Sequence, residues 1–308
     1  MRKIIRIGTR DSQLALWQAK FVEKLLNQQG LMTELVPVKS EGDLDLVSPL
    51  YEMGVQGIFT KTLDVALLLN KIDIAVHSFK DVPVQLPKDL IIASVPERGN
   101  RKDSLVFKDP DFDPEKREHA VIATSSLRRK AQWLNRYPGH IVVPIRGNNN
   151  TRLEKLNNHP DWDGALFASA GIERIDLPVP CRTEPDWMLP APAQGALAVI
   201  CRSEDTDTQR VCSVFNHQET AYCTFIEREF LRTLMGGCSM PIAALAEVKG
   251  DRVVFKGNIF SVDGVRKSEI SLEFPLGNLK DAGKKAAFEL LAHGGESIVR
   301  ELKDIMKS

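Results

Sequence analysis

The feature that most restricts the fold of this chain is an alternation that runs once and then starts again. "KIIRIG" reads as a short buried strand. "SQLALWQAKFVEKLLNQQ" reads as a helix with Leu14, Trp17, Phe21 and Leu25 on one face and Gly30 as its stop. "TELVPVK" is a second strand, "TKTLDVALLLN" a helix, and "IDIAV" a third strand ending at His77, with further strands at "IIASV" and "SLVF". The pattern restarts at "AVIAT" (120–124). A helix then runs from about Ser126 to before Pro138, followed by "HIVVPI", a helix after "NNNT", and "GALFAS". Strands joined through helices imply an α/β layer with much parallel sheet, and two such runs imply two lobes.

Charged "ERGNRK" (97–102) and Pro-rich "LPAPAQG" (189–195) bracket the second run, and the strand "ALAVICR" (196–202) can return to the first lobe. Two chain crossings would then join the lobes around a hinged cleft. From residue 217 the style changes. "QETAYCTFIEREFLRTL" reads as a long helix ending at Gly236, followed by three antiparallel strands with turns at "KGDR" and "SVDGV", and a closing helix at about 279–306. The expected divisions are 1–98 plus 196–215 for the first lobe, 99–195 for the second, and 217–308 for a small α+β domain.

The 308 residues are 43% hydrophobic, enough for a sizeable core, and the formal net charge of zero argues against a polyanionic partner for the chain as a whole. No stretch approaches the ~18 apolar residues of a membrane span, and "MRKIIRIGTRDSQ" turns polar too early for a signal peptide. The expectation is a soluble cytoplasmic protein with no membrane partner. The six histidines show no H-E-x-x-H spacing, and neither a P-loop nor a strand–helix G-x-G-x-x-G occurs, so neither a metal nor a nucleotide is expected. Of the five cysteines, Cys201, Cys212 and Cys223 sit in apolar patterns and read as small buried hydrophobes, while Cys181 lies in a Pro-rich loop without a signal. Cys238 in "LMGGCSMP" is different: two glycines precede it and a proline follows, an open and bent backbone that suits either ligand approach or a simple C-cap turn.

Neutral net charge hides a local imbalance. From His119 to Leu153 there is no Asp or Glu, while Arg128, Arg129, Lys130, Arg136, Arg146 and Arg152 fall in that window. Such a run can be a solvated face. However, "TSSLRR" and "RGNNNTR" each follow a strand and open a helix, where hydroxyls, backbone N–H groups and guanidinium groups bind anions. Arginine suits bidentate grip on carboxylates, and the window lacks the interleaved aromatics of a nucleic-acid platform, so no nucleic-acid partner is expected. "VHSFKDVP" places His77, Lys80 and Asp81 at a strand end, where ligands of open α/β sheets bind. Asp81 is a candidate general acid or base, or one half of a surface ion pair, and His77 reads as a structural hydrogen-bonder.

In order along the chain, "IRIGTRDSQLALWQA", "DIAVHSFKDVP", "TSSLRR", "IRGNNNTRL", "AQGALAV", "NHQETA" and "GGCSMP" resemble the porphobilinogen deaminases of tetrapyrrole biosynthesis. The resemblance implies two lobes like those of periplasmic binding proteins plus a small third domain with a three-stranded antiparallel sheet. It also implies a covalent dipyrromethane cofactor on Cys238 through a thioether. The activity it implies is condensation of four porphobilinogen molecules head to tail with loss of ammonia. Carried over by position, Asp81 is the catalytic carboxylate. Lys80, Ser125, Ser126, Arg128, Arg129 and Arg146 contact the cofactor, and Arg10, Ser12, Arg152, Arg174 and Gln194 contact substrate. Each added ring brings an acetate and a propionate, which asks for a cationic lining.

Three departures stand out. Glu52 and Gln56 occupy places where the family usually has lysines, Met235 stands where an acidic residue is common, and Pro192-Ala193-Gln194-Gly195 replaces Val-Gly-Gln-Gly. The competing expectations are a catalytically impaired member and an anion-binding protein of the solute-binding type. With no heptad and no exposed apolar stripe in the pattern, a monomer is expected.

Overall fold

The computed structural model describes residues 4–38, 60–234 and 240–305. The expectations that fall on Glu52, Gln56, Met235, the helix end at Gly236 and Cys238 lie outside the described residues.

The first sheet contains β1 (Ile5–Thr9), β2 (Thr33–Pro37), β3 (Ile74–Ser78), β4 (Leu90–Ser94) and β10 (Leu197–Arg202), in the order β2-β1-β3-β10-β4. The second contains β5 (Asp103–Phe107), β6 (Val121–Ala123), β7 (Ile141–Val143), β8 (Gly164–Ala168) and β9 (Cys181–Thr183), in the order β7-β6-β8-β5-β9. In each, four of the five strands point the same way, and the remaining one, β10 or β5, runs antiparallel to both neighbours. The sheets are therefore mixed, less parallel than the alternation alone suggests. The reason is that β5 and β10 each follow a crossing between the lobes and enter their sheets from the opposite end.

Both faces of each sheet are covered, so the central strands are apolar throughout rather than alternating. Ile74, Val199 and Cys201 pack against Val22 and Leu26 of α1 (Gln13–Asn27), while Ala75, Ala198 and Ile200 face Leu63 and Leu67 of α2 (Lys61–Leu68). In the second lobe Ile122 and Leu166 face Trp133 of α3 (Leu127–Arg136), and Ala165 and Phe167 face Leu153 and Leu156 of α4 (Asn149–Asn158). The short α5 (Ser169–Glu173) follows β8, and α6 (Thr206–Ser213) follows β10.

α1 differs from its expected orientation. Its buried face is Gln18, Ala19, Val22 and Leu26, whereas Leu14, Trp17, Phe21 and Leu25 are only half-buried. Trp17 stacks on Phe21 at 5.4 Å, and the Arg174 guanidinium of the second lobe lies 5.3 Å from the Trp17 ring. The helix thus has two apolar faces, and the more aromatic one meets the other lobe through Trp17.

The third unit packs α7 (Gln218–Leu234) and α8 (Ala282–Leu290) on a sheet of β11 (Ile242–Lys249), β12 (Arg252–Phe260) and β13 (Lys267–Pro275), antiparallel in sequence order. Phe230 and Phe255 meet at 5.1 Å in its core. The expected single closing helix is two, α8 and α9 (Glu296–Ile305), because Gly294 at φ 93° breaks the helix between them. No helix among the described residues is long and apolar enough to cross a membrane.

The two crossings run side by side. Gly99 N–H donates to Gly195 O at 3.1 Å, and Gly195 has φ +85°. A Cβ there would lie 2.6 Å from Asn100 O, so only glycine permits this backbone approach.

Candidate active site

β3 ends in a single 3-10 turn, Phe79–Asp81. Phe79 is buried beneath it, Lys80 is half-buried, and the Asp81 side chain is exposed. Among the described residues no group donates a hydrogen bond to the Asp81 carboxylate, so its position is set by the turn itself. Burial pushes the Lys80 ammonium down to about 8, with Arg129 and Arg128 adding to the effect and Asp81 and Asp103 opposing it. Burial and Arg129 likewise depress Arg152, while Asp81 pulls it back up. Asp81 therefore acts electrostatically on Arg129 and Arg152 of the opposite lobe as well as on its neighbour Lys80.

The arginines come from two helix starts. Ser126 caps α3, its Oγ accepting from Arg129 N–H at 3.4 Å, and Asn148 caps α4, accepting from Thr151 N–H at 3.0 Å. Ser125 Oγ donates to Ile145 O at 2.9 Å and accepts from Ile145 N–H at 3.0 Å, which ties the loop after β6 to the one after β7. Its hydroxyl is thus engaged within the protein.

Arg128 and Arg129 are buried, not a solvated face; Arg136 is the exposed member of the window and pairs with Glu115. Both buried guanidinium groups close on Asp103, a fully buried carboxylate. Arg128 donates to Oδ2 at 2.7 Å and to Oδ1 at 3.1 Å, and Arg129 Nε donates to Oδ1 at 2.9 Å. Burial alone would raise the Asp103 pKa, but the two arginines and the Gln194 amide together hold it well below the usual carboxylate range. Nothing in the sequence flagged Asp103. It ends the "ERGNRK" crossing and reads there as a surface acid.

Gln194, 1% exposed, is the junction of the lobes. Its Nε2 donates to Asp103 Oδ1 at 3.0 Å and to Arg101 O at 2.9 Å, and its Oε1 accepts from Lys80 Nζ at 3.3 Å. Arg174 Nη2 donates to Gly195 O at 2.6 Å. Ser12 caps α1, accepting from Ala15 N–H at 3.3 Å. Arg10 lies close enough to His77 to help depress it. At the outer edge, Asn150 Nδ2 donates to Gln13 Oε1 at 2.8 Å, from the first turn of α4 to that of α1.

His77 is not the hydrogen-bonder expected: its Nε2 is buried with no partner among the described residues, and burial with Arg10 holds it neutral, at about 4. Cys201, Cys212 and Cys223 are buried as expected, their thiols pushed up by burial to about 11, 12 and 12.

Three guanidinium nitrogens in this region are buried and lack an acceptor among the described residues: Arg128 Nε, Arg146 Nη1 and Arg152 Nε. A buried donor left unpaired costs about 1–3 kcal/mol or more when charged. Such a set fits a ligand that brings its own carboxylates.

Residues 5–210 match the domain described as "Porphobilinogen deaminase, dipyromethane cofactor binding domain", and residues 221–292 match "Porphobilinogen deaminase, C-terminal domain". The chain belongs to the porphobilinogen deaminase family. The porphobilinogen deaminase of Geobacter sulfurreducens is 40% identical, the match covering 97% of this chain and 94% of that one. That of Desulforamulus reducens is 39% identical, covering 98% and 99%. Among solved structures, the periplasmic VFT2 domain of Bordetella pertussis BvgS matches with TM-score 0.40 and 15% identity over 68% of this chain and 84% of that one, too slight a likeness to bear on the fold.

Proposed function

We propose that the chain is a hydroxymethylbilane synthase, a deaminating transferase that joins four porphobilinogen molecules head to tail and releases the linear hydroxymethylbilane with water. A dipyrromethane on Cys238, when bound, supplies the nucleophilic ring carbon to which the first substrate is joined. The observation that carries this reading is the opposition of one exposed acid, Asp81, to Arg129 and Arg152 of the other lobe, of which Arg152 keeps a buried Nε without a described acceptor.

The residues divide the work. Loss of ammonia leaves positive charge on the substrate ring, and the Asp81 carboxylate, preorganised on its turn, stabilises that charge and accepts the pyrrole N–H. Lys80 balances Asp81 and binds a substrate carboxylate. Arg128 and Arg129, braced by Asp103, hold cofactor carboxylates with Arg146 and with the N–H groups behind Ser125 and Ser126. Arg10, Ser12, Arg152, Arg174 and Gln194 receive substrate. The units are bounded at 1–98 plus 196–215, 99–195 and 217–308, and the protein acts as a cytoplasmic monomer without metal, membrane or nucleic acid.

Intact mass spectrometry of the purified protein tests the reading. The expected result is a mass excess equal to a dipyrromethane, absent in Cys238→Ser, together with consumption of porphobilinogen. A bare mass favours an anion-binding protein, and an adduct without turnover favours an impaired enzyme.

A further inference from the structure

The Asp81 carboxylate has no described hydrogen-bond donor, so whatever holds its backbone holds the acid. The turn does little for itself: its internal backbone bond, Val82 N–H to Phe79 O, is 3.2 Å long. The carbonyls at and just after it are met by α7. There Arg228, 8% exposed, donates from Nη1 to Val82 O at 2.8 Å and to Phe79 O at 3.3 Å, and from Nη2 to Pro83 O at 2.6 Å. Its guanidinium also lies 4.4 Å from the centroid of the Phe79 ring. One rigid fork thus grips the chain on both sides of Lys80 and Asp81.

The adjacent residue makes α7 a common anchor. Glu227, fully buried, pairs with Arg98 at 2.7 Å and accepts from the backbone N–H of Ala193 at 2.6 Å and of Ala246 at 2.8 Å. The two crossings and β11 are therefore tied to the same turn of the helix that holds the Asp81 loop. Six residues after Arg228, α7 ends at Leu234, four residues before Cys238.

We infer that Arg228 is a positioning residue: through the carbonyls of Phe79, Val82 and Pro83 it fixes the Asp81 turn to α7, so that the acid keeps its place while the second lobe accommodates a lengthening chain. The inference rests on the proposed function for its consequence in catalysis and on the geometry alone for the anchoring. Misplacement of a reacting group by about 1 Å is worth roughly 100-fold in rate. Binding, which the arginines of the other lobe dominate, should change little.

The experiment uses the holoenzyme with Arg228→Met, which keeps length and removes the donors, and Arg228→Lys, which restores some of them. Ser268→Ala is the control, because Ser268 Oγ donates to Leu290 O and His293 O in the same unit and touches neither the turn nor the crossings. Expected for Arg228→Met are faster hydrogen exchange at the amides of residues 80–82, kcat lower by about 30- to 100-fold, and KM within about 3-fold of wild type. Arg228→Lys should recover part of kcat, and Ser268→Ala should lose stability at unchanged kcat. Unchanged exchange at 80–82 in both Arg228 variants overturns the anchoring. So does a rise in KM at constant kcat, or an equal loss of kcat in Ser268→Ala. If Arg228→Met does not fold, Arg228→Lys decides by the same measures. A wild-type protein without adduct or turnover sinks the proposed function, and the exchange measurement still decides the anchoring.

Discussion

The two lobes are built to one plan and furnished differently. In each, a first parallel strand leads to a capped helix, β1 to Ser12 and α1, β6 to Ser126 and α3. In each, an antiparallel strand delivered by a crossing lies beside the third parallel strand. Beyond that third strand they part. β3 runs into Lys80 and Asp81, half-buried and exposed charges respectively, whereas β8 runs into α5, where Ser169 is occupied with Ser104 at 2.7 Å. Each lobe buries a carboxylate between two arginines, Asp73 with Arg6 and Arg202 in the first and Asp103 with Arg128 and Arg129 in the second. Topology fixes where strand ends lie. Which lobe carries an exposed acid at its third strand end and which carries buried cations at its helix starts is decided by a few side chains.

The sharpest break of this comparison is Asp81→Asn. It removes the first lobe's charge without touching a described hydrogen bond. Steady-state kinetics should show turnover lower by on the order of 100- to 1000-fold, with an unchanged melting temperature because the side chain is exposed. Turnover near wild type would move the acid elsewhere. Asp103→Ala breaks the other lobe instead. It leaves Arg128 and Arg129 buried without a counter-charge, and removal of one partner from such a cluster costs about 3–5 kcal/mol. Urea titration should show that loss, and a change below about 1 kcal/mol would mean that the arginines do not depend on Asp103.

These two carboxylates also mark how far the sequence could be read. Asp81 was legible because a strand end, a charge pair and a proline coincide there. Asp103 was not, because a buried counter-ion leaves no periodic signal and its partners are 25 and 26 residues away. The strands and the two-lobe order followed from apolar runs, and the three-stranded third sheet from its two turns. The direction of β5 and β10 did not, since antiparallel entry depends on where the crossings deliver the chain. The faces of α1 differ from the pattern for a related reason: of the aromatic pair, Phe21 packs at the margin of the first lobe's core while Trp17 meets Arg174 of the other lobe. Arg228 was missed because its acceptors are carbonyls, to which any sequence is blind.

Two buried groups of the first lobe, His77 and Asp64, predict a pH response hidden by cancellation. His77 is held at about 4 in the folded protein against an ordinary value of 6.5, so as pH falls between these values the unfolded chain takes up a proton that the folded one refuses. Stability then drops by on the order of 3 kcal/mol. Asp64 is raised by burial to about 6, so over nearly the same range it protonates first in the folded state and adds stability as pH falls. Asp103 is depressed, and its contribution is lost only below the ordinary carboxylate range. Asp64→Asn should therefore stabilise the protein at pH 7 and steepen its loss of stability between about pH 6.5 and 4, on the order of 3 kcal/mol over the interval. Denaturant titrations across that range test it, and parallel pH profiles for wild type and Asp64→Asn would show that the first lobe is not the acid-sensitive one.

The smallest effect concerns the crossing that joins the lobes. Ala193 is fully buried and has φ 61°, a left-handed backbone of the kind glycine adopts most readily. An L-residue pays about 1–2 kcal/mol for that conformation. Glycine would relieve it, but would give up a buried methyl worth about 0.8 kcal/mol and restore about 0.4–1 kcal/mol of freedom to the unfolded chain. These nearly balance, so Ala193→Gly should change stability by less than about 0.5 kcal/mol. Ala198→Gly is the matched comparison, being equally buried in the interior of β10 with no left-handed backbone. There nothing offsets the methyl and the added freedom, and the loss should be about 1.5 kcal/mol. Equal losses for the two variants in side-by-side urea titrations would mean that Ala193 carries no strain and does not stiffen the joint between the lobes.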